Sequence, residues 1–162
     1  MSITKLPESI THIGLVVPDI DAARKELRAL YGPLPGLDFV YDFFPDTVWG
    51  PDGRKIPEKC QIRICMVDWF KDMKLEILQP ILGEIEHARF VREAGGGLHH
   101  VAYYVTEDFD AYRALLLAQG ASILFESETE DARGYRRCCY LRGPGTHMIY
   151  EIAEPPKPFQ AP

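Results

Sequence analysis

His12–Ile20 reads HIGLVVPDI and His100–Asp108 reads HVAYYVTED, and this pair decides the fold. Both segments open on histidine, run through β-forming residues and end in an acidic turn. Each leads into a helical stretch, Asp21–Tyr31 (DAARKELRALY) and Phe109–Gln119 (FDAYRALLLAQ), that stops at a glycine, Gly32 or Gly120. The acidic residues before each stretch suit a helix N-terminus, where they cap free N–H groups and complement the macrodipole.

The correspondence continues further along the chain. Gln61–Pro80 (QIRICMVDWFKDMKLEILQP) matches Arg136–Pro155 (RRCCYLRGPGTHMIYEIAEP) at a constant offset of 75, without a gap. Each copy is a β-rich run, a turn and a second β-rich run, and Arg142-Gly143-Pro144-Gly145 is a strong turn signal. With further strands near Asp38–Phe44 and Ser122–Glu126, each half reads βαβββ. The fold class is therefore α+β: two such modules, about 8–80 and 98–155, would face one another and enclose a cup. A joint over 81–97, with a short helix holding Ile85, Arg89 and Phe90, ends at Gly95-Gly96-Gly97, and 156–162 is a tail.

Composition narrows the partners. The chain has 162 residues with 18 Lys and Arg against 24 Asp and Glu, a net charge of −6. Nucleic acid and anionic membrane surfaces are poor partners for such a balance, since both require clustered cations. Hydrophobic residues at 46% suit a globule that folds without a structural metal. Cys60, Cys65, Cys138 and Cys139 lack Cys-x-x-Cys spacing and read as reduced thiols on strands. The first residues, MSITKLPESITHIG, contain no apolar core of a signal peptide, and no apolar run reaches membrane-spanning length. The expectation is a soluble, cytoplasmic protein.

Strand alternation then sorts the first strand of each half. Ile13, Leu15 and Val17 belong against the helix, which turns His12 into the cup; on the repeat, His100, Ala102 and Tyr104 share the equivalent face, which makes Tyr104 a candidate substrate contact. Glu76, between Leu75 and Ile77, and Glu151, between Tyr150 and Ile152, sit mid-strand at matching positions. A carboxylate there is costly to bury without compensation. One His–Glu pair per module makes a set of two histidines and two glutamates, suited to one divalent first-row ion with two positions left for water or substrate. Parity sends His99 to the opposite face or the strand start, while His87 and His147 read as solvated. Phe43, Phe44 and Trp49, with Tyr41, lie in an aromatic insertion over 41–55 that reads as pocket wall or core. If Gln61, Arg63 and Cys65 face the cup, Arg63 binds an anionic group of the substrate.

The pattern THIGLVV … LEILQP … GGGLHHVAYYV … IYEIAE, spanning about Ile10 to Pro155, resembles the vicinal oxygen chelate superfamily, which includes glyoxalase I, methylmalonyl-CoA epimerase and extradiol dioxygenases. The GLHHVA motif and the position of Glu76 are most similar to the epimerase branch. The resemblance implies that the paired βαβββ modules form an eight-stranded, incompletely closed β-cup, with His12, Glu76, His100 and Glu151 as ligands of one divalent metal ion (Co, Ni, Mn, Zn or Fe), and a homodimer. It also implies an epimerase or racemase that moves a proton α to a carbonyl through a metal-stabilised enolate. Pro57–Gln61 resembles the stretch carrying the catalytic glutamate, which makes Glu58 the base, with Glu151 serving the other face. The sequence departs from the branch at Lys59-Cys60 and at Arg142–Gly145, which weakens the coenzyme A part of the analogy. The aromatic insertion suits a flat ketone such as an isoflavanone, so acyl-CoA and aromatic ketone both stand as the small-molecule carbonyl substrate. The alternatives are a non-haem iron ring-cleaving dioxygenase, a glyoxalase-type lyase and a metal-free binding module.

Overall fold

The computed structural model describes residues 10–70, 73–131 and 134–155. The start of the first module and the tail at 156–162 lie outside the described residues. Elements follow in the order β1 (His12–Val16), α1 (Ile20–Tyr31), β2 (Gly36–Phe43), β3 (Val48–Trp49), β4 (Cys60–Phe70), β5 (Met73–Leu82), α2 (Glu86–Ala94), β6 (Gly97–Tyr104), α3 (Phe109–Ala118), β7 (Ser122–Asp131), β8 (Gly134–Arg142) and β9 (Ile149–Ala153). Both helices of the repeat fall where their caps place them. Asp19 accepts from the N–H groups of Asp21 and Ala22 at the start of α1, and Asp108 accepts from Ala111 at the start of α3. Among the described residues no helix is long and apolar enough to cross a membrane.

All strands join one sheet in the order β2-β4-β5-β1-β6-β9-β8-β7-β3, curled into a cup with one unsealed seam. The two modules meet at its centre, where β1 and β6 pair antiparallel and each also pairs in parallel with the last strand of its own module. Among the described residues the sheet has nine strands, not eight. The extra one, β3, comes from the aromatic insertion, which leaves β2, crosses the seam and pairs Val48 and Trp49 with Ser127 and Glu126 of β7. At the same seam the Tyr41 hydroxyl of β2 meets the Thr129 hydroxyl of β7.

Alternation packs each sheet face as the pattern dictates. Val17, Val67, Leu75 and Ile77 bury against Ile20 of α1, with Ile13 and Leu15 beside them. Val105, Leu141 and Ile152 bury against Phe109 and Tyr112 of α3. The inner face forms a third cluster of Val16, Phe43, Ile62, Leu78, Phe125 and Tyr140, and α2 packs on it through Ile85, Ala88 and Phe90. Each aliphatic or aromatic side chain so buried contributes about 1.5–3 kcal/mol relative to exposure.

Two glycines are required by close approach. A Cβ on Gly96, whose φ is +112°, would stand 2.9 Å from the Val16 carbonyl oxygen, so the chain can turn from α2 into β6 against β1 only without a side chain. Gly14 has ordinary backbone angles, but a Cβ there would lie 2.0 Å from the His100 ring.

Candidate metal centre

The central strands carry the four candidate ligands to one point. His12 is on β1, Glu76 on β5, His100 on β6 and Glu151 on β9, and the register sets Gly14 opposite both Glu76 and His100. The missing side chain at position 14 is the space the His100 ring occupies. All four residues are buried, with exposures of 9%, 8%, 3% and 8% in chain order. One donor atom from each lies within 4.8 Å of the others.

The distances define a tight convergence. His12 Nε2 is 3.0 Å from Glu151 Oε2 and 3.4 Å from Glu76 Oε2. His100 Nε2 is 3.1 Å from Glu151 Oε2 and 3.5 Å from Glu76 Oε2. The two Nε2 atoms are themselves 3.4 Å apart. Although buried, Glu76 Oε2 makes no hydrogen bond. Burial opposes charge on His12, yet the neighbouring Glu76 and Glu151 carboxylates more than offset it and push its pKa up to about 10. His100 moves the same way, burial again being outweighed by the two carboxylates. Burial likewise opposes the Glu76 charge, and the His12 imidazolium holds it down at about 2. Two carboxylates converge on two imidazoles whose ring protons a cation would displace, and with a buried oxygen left unbonded the set fits a divalent cation.

Further groups surround this point. The Cys138 thiol donates to Glu151 Oε1 at 3.1 Å. Burial, reinforced by the Glu151 charge, holds both Cys138 and Tyr140 well above their ordinary pKa values, so both stay protonated. Phe39, Tyr41, Phe43, Phe125 and Tyr140 give the cup an aromatic wall, and Ile62, Ile64 and Met66 line the β4 side. Tyr104, Arg136 and Arg137 also line it. The repeat and the alternation of its first strands do not single out Cys138, Tyr140 or Arg136. Tyr140 pairs in register with Glu151, so β8 alternation is the signal that could have found it.

Several expectations require correction. Arg63 does not face the cup: Ile62, Ile64 and Met66 do, and Arg63 points outward to Asp21 of α1 and Asp38 of β2 at 2.8 Å each. A register shift between Gln61 and Ile62 accompanies this assignment. Glu58 is exposed ahead of β4 and is not among the residues lining the cup. Phe44 is 60% exposed, with the Lys59 ammonium 6.0 Å from its ring centre. Trp49, on β3, belongs to a separate depression beside Arg113 and Glu126. Of the proposed substrate contacts, Phe43 and Tyr104 line the cup. His87 is not solvated but 1% exposed, and His99 is buried at 5%, on the same side as His100. His147 lies in the open, in the β8–β9 loop.

The family model described as the Glyoxalase/Bleomycin resistance protein/Dioxygenase superfamily matches residues 11–140. A search of curated proteins returns no significant sequence match. Among solved structures, methylmalonyl-CoA epimerase from Mycobacterium tuberculosis superposes with a TM-score of 0.61 at 21% identity, over 100% of this chain and 94% of its own. A single-residue variant of Streptomyces coelicolor methylmalonyl-CoA epimerase in complex with 2-nitronate-propionyl-CoA gives 0.58 at 21%, over 92% and 98%. A mutant of 4-hydroxymandelate synthase from Streptomyces coelicolor gives 0.61 at 19%, over 94% of this chain and 41% of that one. At these identities the likeness is one of fold.

Proposed function

The chain belongs to the glyoxalase/bleomycin resistance protein/dioxygenase superfamily, and from that premise we propose that it is a divalent-metal-dependent epimerase or racemase acting at the carbon α to a carbonyl. The observation that carries this reading is the convergence of His12, Glu76, His100 and Glu151 within 4.8 Å at the base of an aromatic-walled cup. These four residues hold the cation, and the mixed nitrogen and oxygen donors suit Co, Ni, Mn, Zn or Fe. When bound, the cation supplies Lewis acidity, making the C–H beside a substrate carbonyl acidic.

Glu151 removes the proton from one face of the α-carbon, and inversion is completed when a proton from solvent reaches the opposite face through the mouth of the cup. Burial works against the Glu151 charge, but the His100 and His12 rings hold its pKa well below the ordinary range, so it stands ready as a carboxylate. Cys138 Sγ steadies Oε1 from behind, and the protonated Tyr140 hydroxyl lies beside the same carboxylate. Glu58 has no part in this scheme, since its side chain does not line the cup. The rings of Phe39, Tyr41, Phe43 and Phe125 exclude water and favour a flat, apolar substrate body. At the lining, Arg136 takes the charge-recognition role that Arg63 cannot serve, whereas Arg137 is held by Asp110 of α3 at 2.8 Å and by Glu154 at 3.0 Å. Aromatic ketones and 2-methylacyl-CoA thioesters are both candidates. A homodimer is part of the same proposal, and sedimentation analysis reads it directly.

The test is α-proton exchange in D2O, followed by NMR, with isoflavanone-type ketones and 2-methylacyl-CoAs given to the cobalt-loaded protein. Exchange with one class, lost when the metal is removed, is the expected result. Oxygen consumption without exchange would replace this reading with ring-cleaving dioxygenase chemistry.

A further inference from the structure

Behind the four convergent donors lies a second line of buried groups that the proposed reaction leaves unused. β6 breaks regular pairing where it crosses β1: Gly14 pairs with His100 but Leu15 pairs with Leu98. His99 is thus the extra residue of a bulge. Alternation alone would send it to the opposite face; the bulge turns it inward, with Nδ1 3.0 Å from His100 Nδ1. Its other nitrogen, Nε2, has no hydrogen-bond partner and stands 4.0 Å from Glu86 Oε1, a distance for electrostatic attraction. Glu86, the first residue of α2, is 7% exposed. Arg89 Nε donates to its Oε2 at 2.9 Å, and Arg142 Nη2 lies 3.9 Å from its Oε1.

These contacts dictate where the protons sit. His100 directs Nε2 at His12, Glu76 and Glu151, so offering that lone pair to a cation requires the ring proton on Nδ1. Two Nδ1 atoms at 3.0 Å need one donor and one acceptor. His100 therefore donates and His99 accepts, which leaves the His99 proton on Nε2, facing Glu86. Each tautomer determines the next, and the chain ends on a carboxylate anchored by two arginines.

We propose that Glu86 and His99 are positioning residues forming a relay that locks His100 in the tautomer presenting Nε2 to a divalent cation, an inference that rests on the metal reading above. Neither residue touches the cation. Such partners raise the basicity of a ligating histidine and fix its ring orientation. His87 fills the space behind them, its ring 5.0 Å from His99 and packed edge-on against Tyr140 at 5.1 Å. His87, His99 and His100 are also close enough to take a cation of their own, but His100 cannot offer Nδ1 to that group while the relay keeps a proton there. Metal stoichiometry therefore separates the two arrangements.

The test is titration of the full chain with zinc and cobalt in competition with a chelator, together with nitrogen-15 NMR of the zinc-loaded protein. The expected results are one equivalent of metal and a proton on His100 Nδ1 that couples to His99 Nδ1. His99→Leu should raise the metal Kd about 10–100-fold and shift the cobalt d–d absorption. His99→Gln should recover most of the affinity, because its amide oxygen accepts from His100 and its NH2 faces Glu86. Since a leucine beneath α2 puts the fold at risk, Glu86→Gln, which keeps shape but removes charge, tests the relay separately and should weaken binding less than His99→Leu. An unchanged Kd in both Glu86→Gln and His99→Leu, two equivalents of metal, or a bare His100 Nδ1 would each overturn the relay. Absence of any binding by the unsubstituted protein would instead sink the metal reading itself.

Discussion

The His100 ring stands in the volume that a Cβ on Gly14 would fill, 2.0 Å from the atom that glycine lacks. A position on the neighbouring strand thus decides whether a ligand-bearing side chain reaches the centre of the cup.

Gly14→Ala follows directly. The backbone there accepts alanine, so the cost is steric and falls on His100: the ring must swing out or the β1–β6 pair must part. A destabilisation of about 1–3 kcal/mol is expected from overpacking. Metal affinity should fall far more than stability alone explains, as read by chelator competition on folded protein.

Metal occupancy should itself stabilise the fold. Four strands from both modules contribute ligands, and the folded state alone assembles them. Cation at 100 times its Kd should add about 2.7 kcal/mol, seen as a higher Tm that a chelator reverses. Glu76→Ala should lose most of that increment.

Glu58→Gln separates the sequence-based assignment from the geometric one. A positioned general base is worth about 10²–10⁴-fold in rate. With Glu58 outside the cup, α-proton exchange by Glu58→Gln should match the unsubstituted protein, at unchanged metal content. A loss of that size would return the role to Glu58.

Arg63 should matter for stability and not for exchange. Hydrogen bonds from Arg63 hold the Asp38 and Asp21 carboxyls below the usual value of 3.8. A depressed folded-state pKa gives stability that is present above the ordinary value and lost as pH falls through the lowered ones. Arg63→Gln should therefore lower Tm at pH 7, and its gap from the unsubstituted protein should close in acid below about pH 4. Exchange activity should stay unchanged throughout.

The seam offers a last check. Tyr41→Phe removes the hydroxyl that meets Thr129 and should cost about 1 kcal/mol. Hydrogen exchange in β2 and β7 should accelerate more than in β1 and β6, which lie at the centre of the sheet.

The repeat was legible because it is local chemistry at two levels. Histidine-led β runs, Asp19 and Asp108 as caps and the 75-residue offset are each carried by neighbouring residues. The same alternation brought His12, Glu76, His100 and Glu151 onto the inner face, and the structure gathers those four within 4.8 Å. The ninth strand was not legible, since a two-residue segment gains its identity only from its partner on β7.

The failures share one physical cause. Alternation assigns a face only while pairing stays regular, and a single bulge shifts the assignment. At β6 the bulge puts His99 beside His100, where parity had separated them. At Glu58 similarity of sequence stood in for direction, while at Arg63 alternation left the face open and the register of β4 turned Ile62 and Ile64 inward instead. Sequence by itself determined the two-module cup and the four residues at its base, because both follow from periodicity along the chain. Only the tertiary structure decided which other side chains share that space, because facing is a property of paired strands and is settled where a bulge or a missing Cβ lets one of them in.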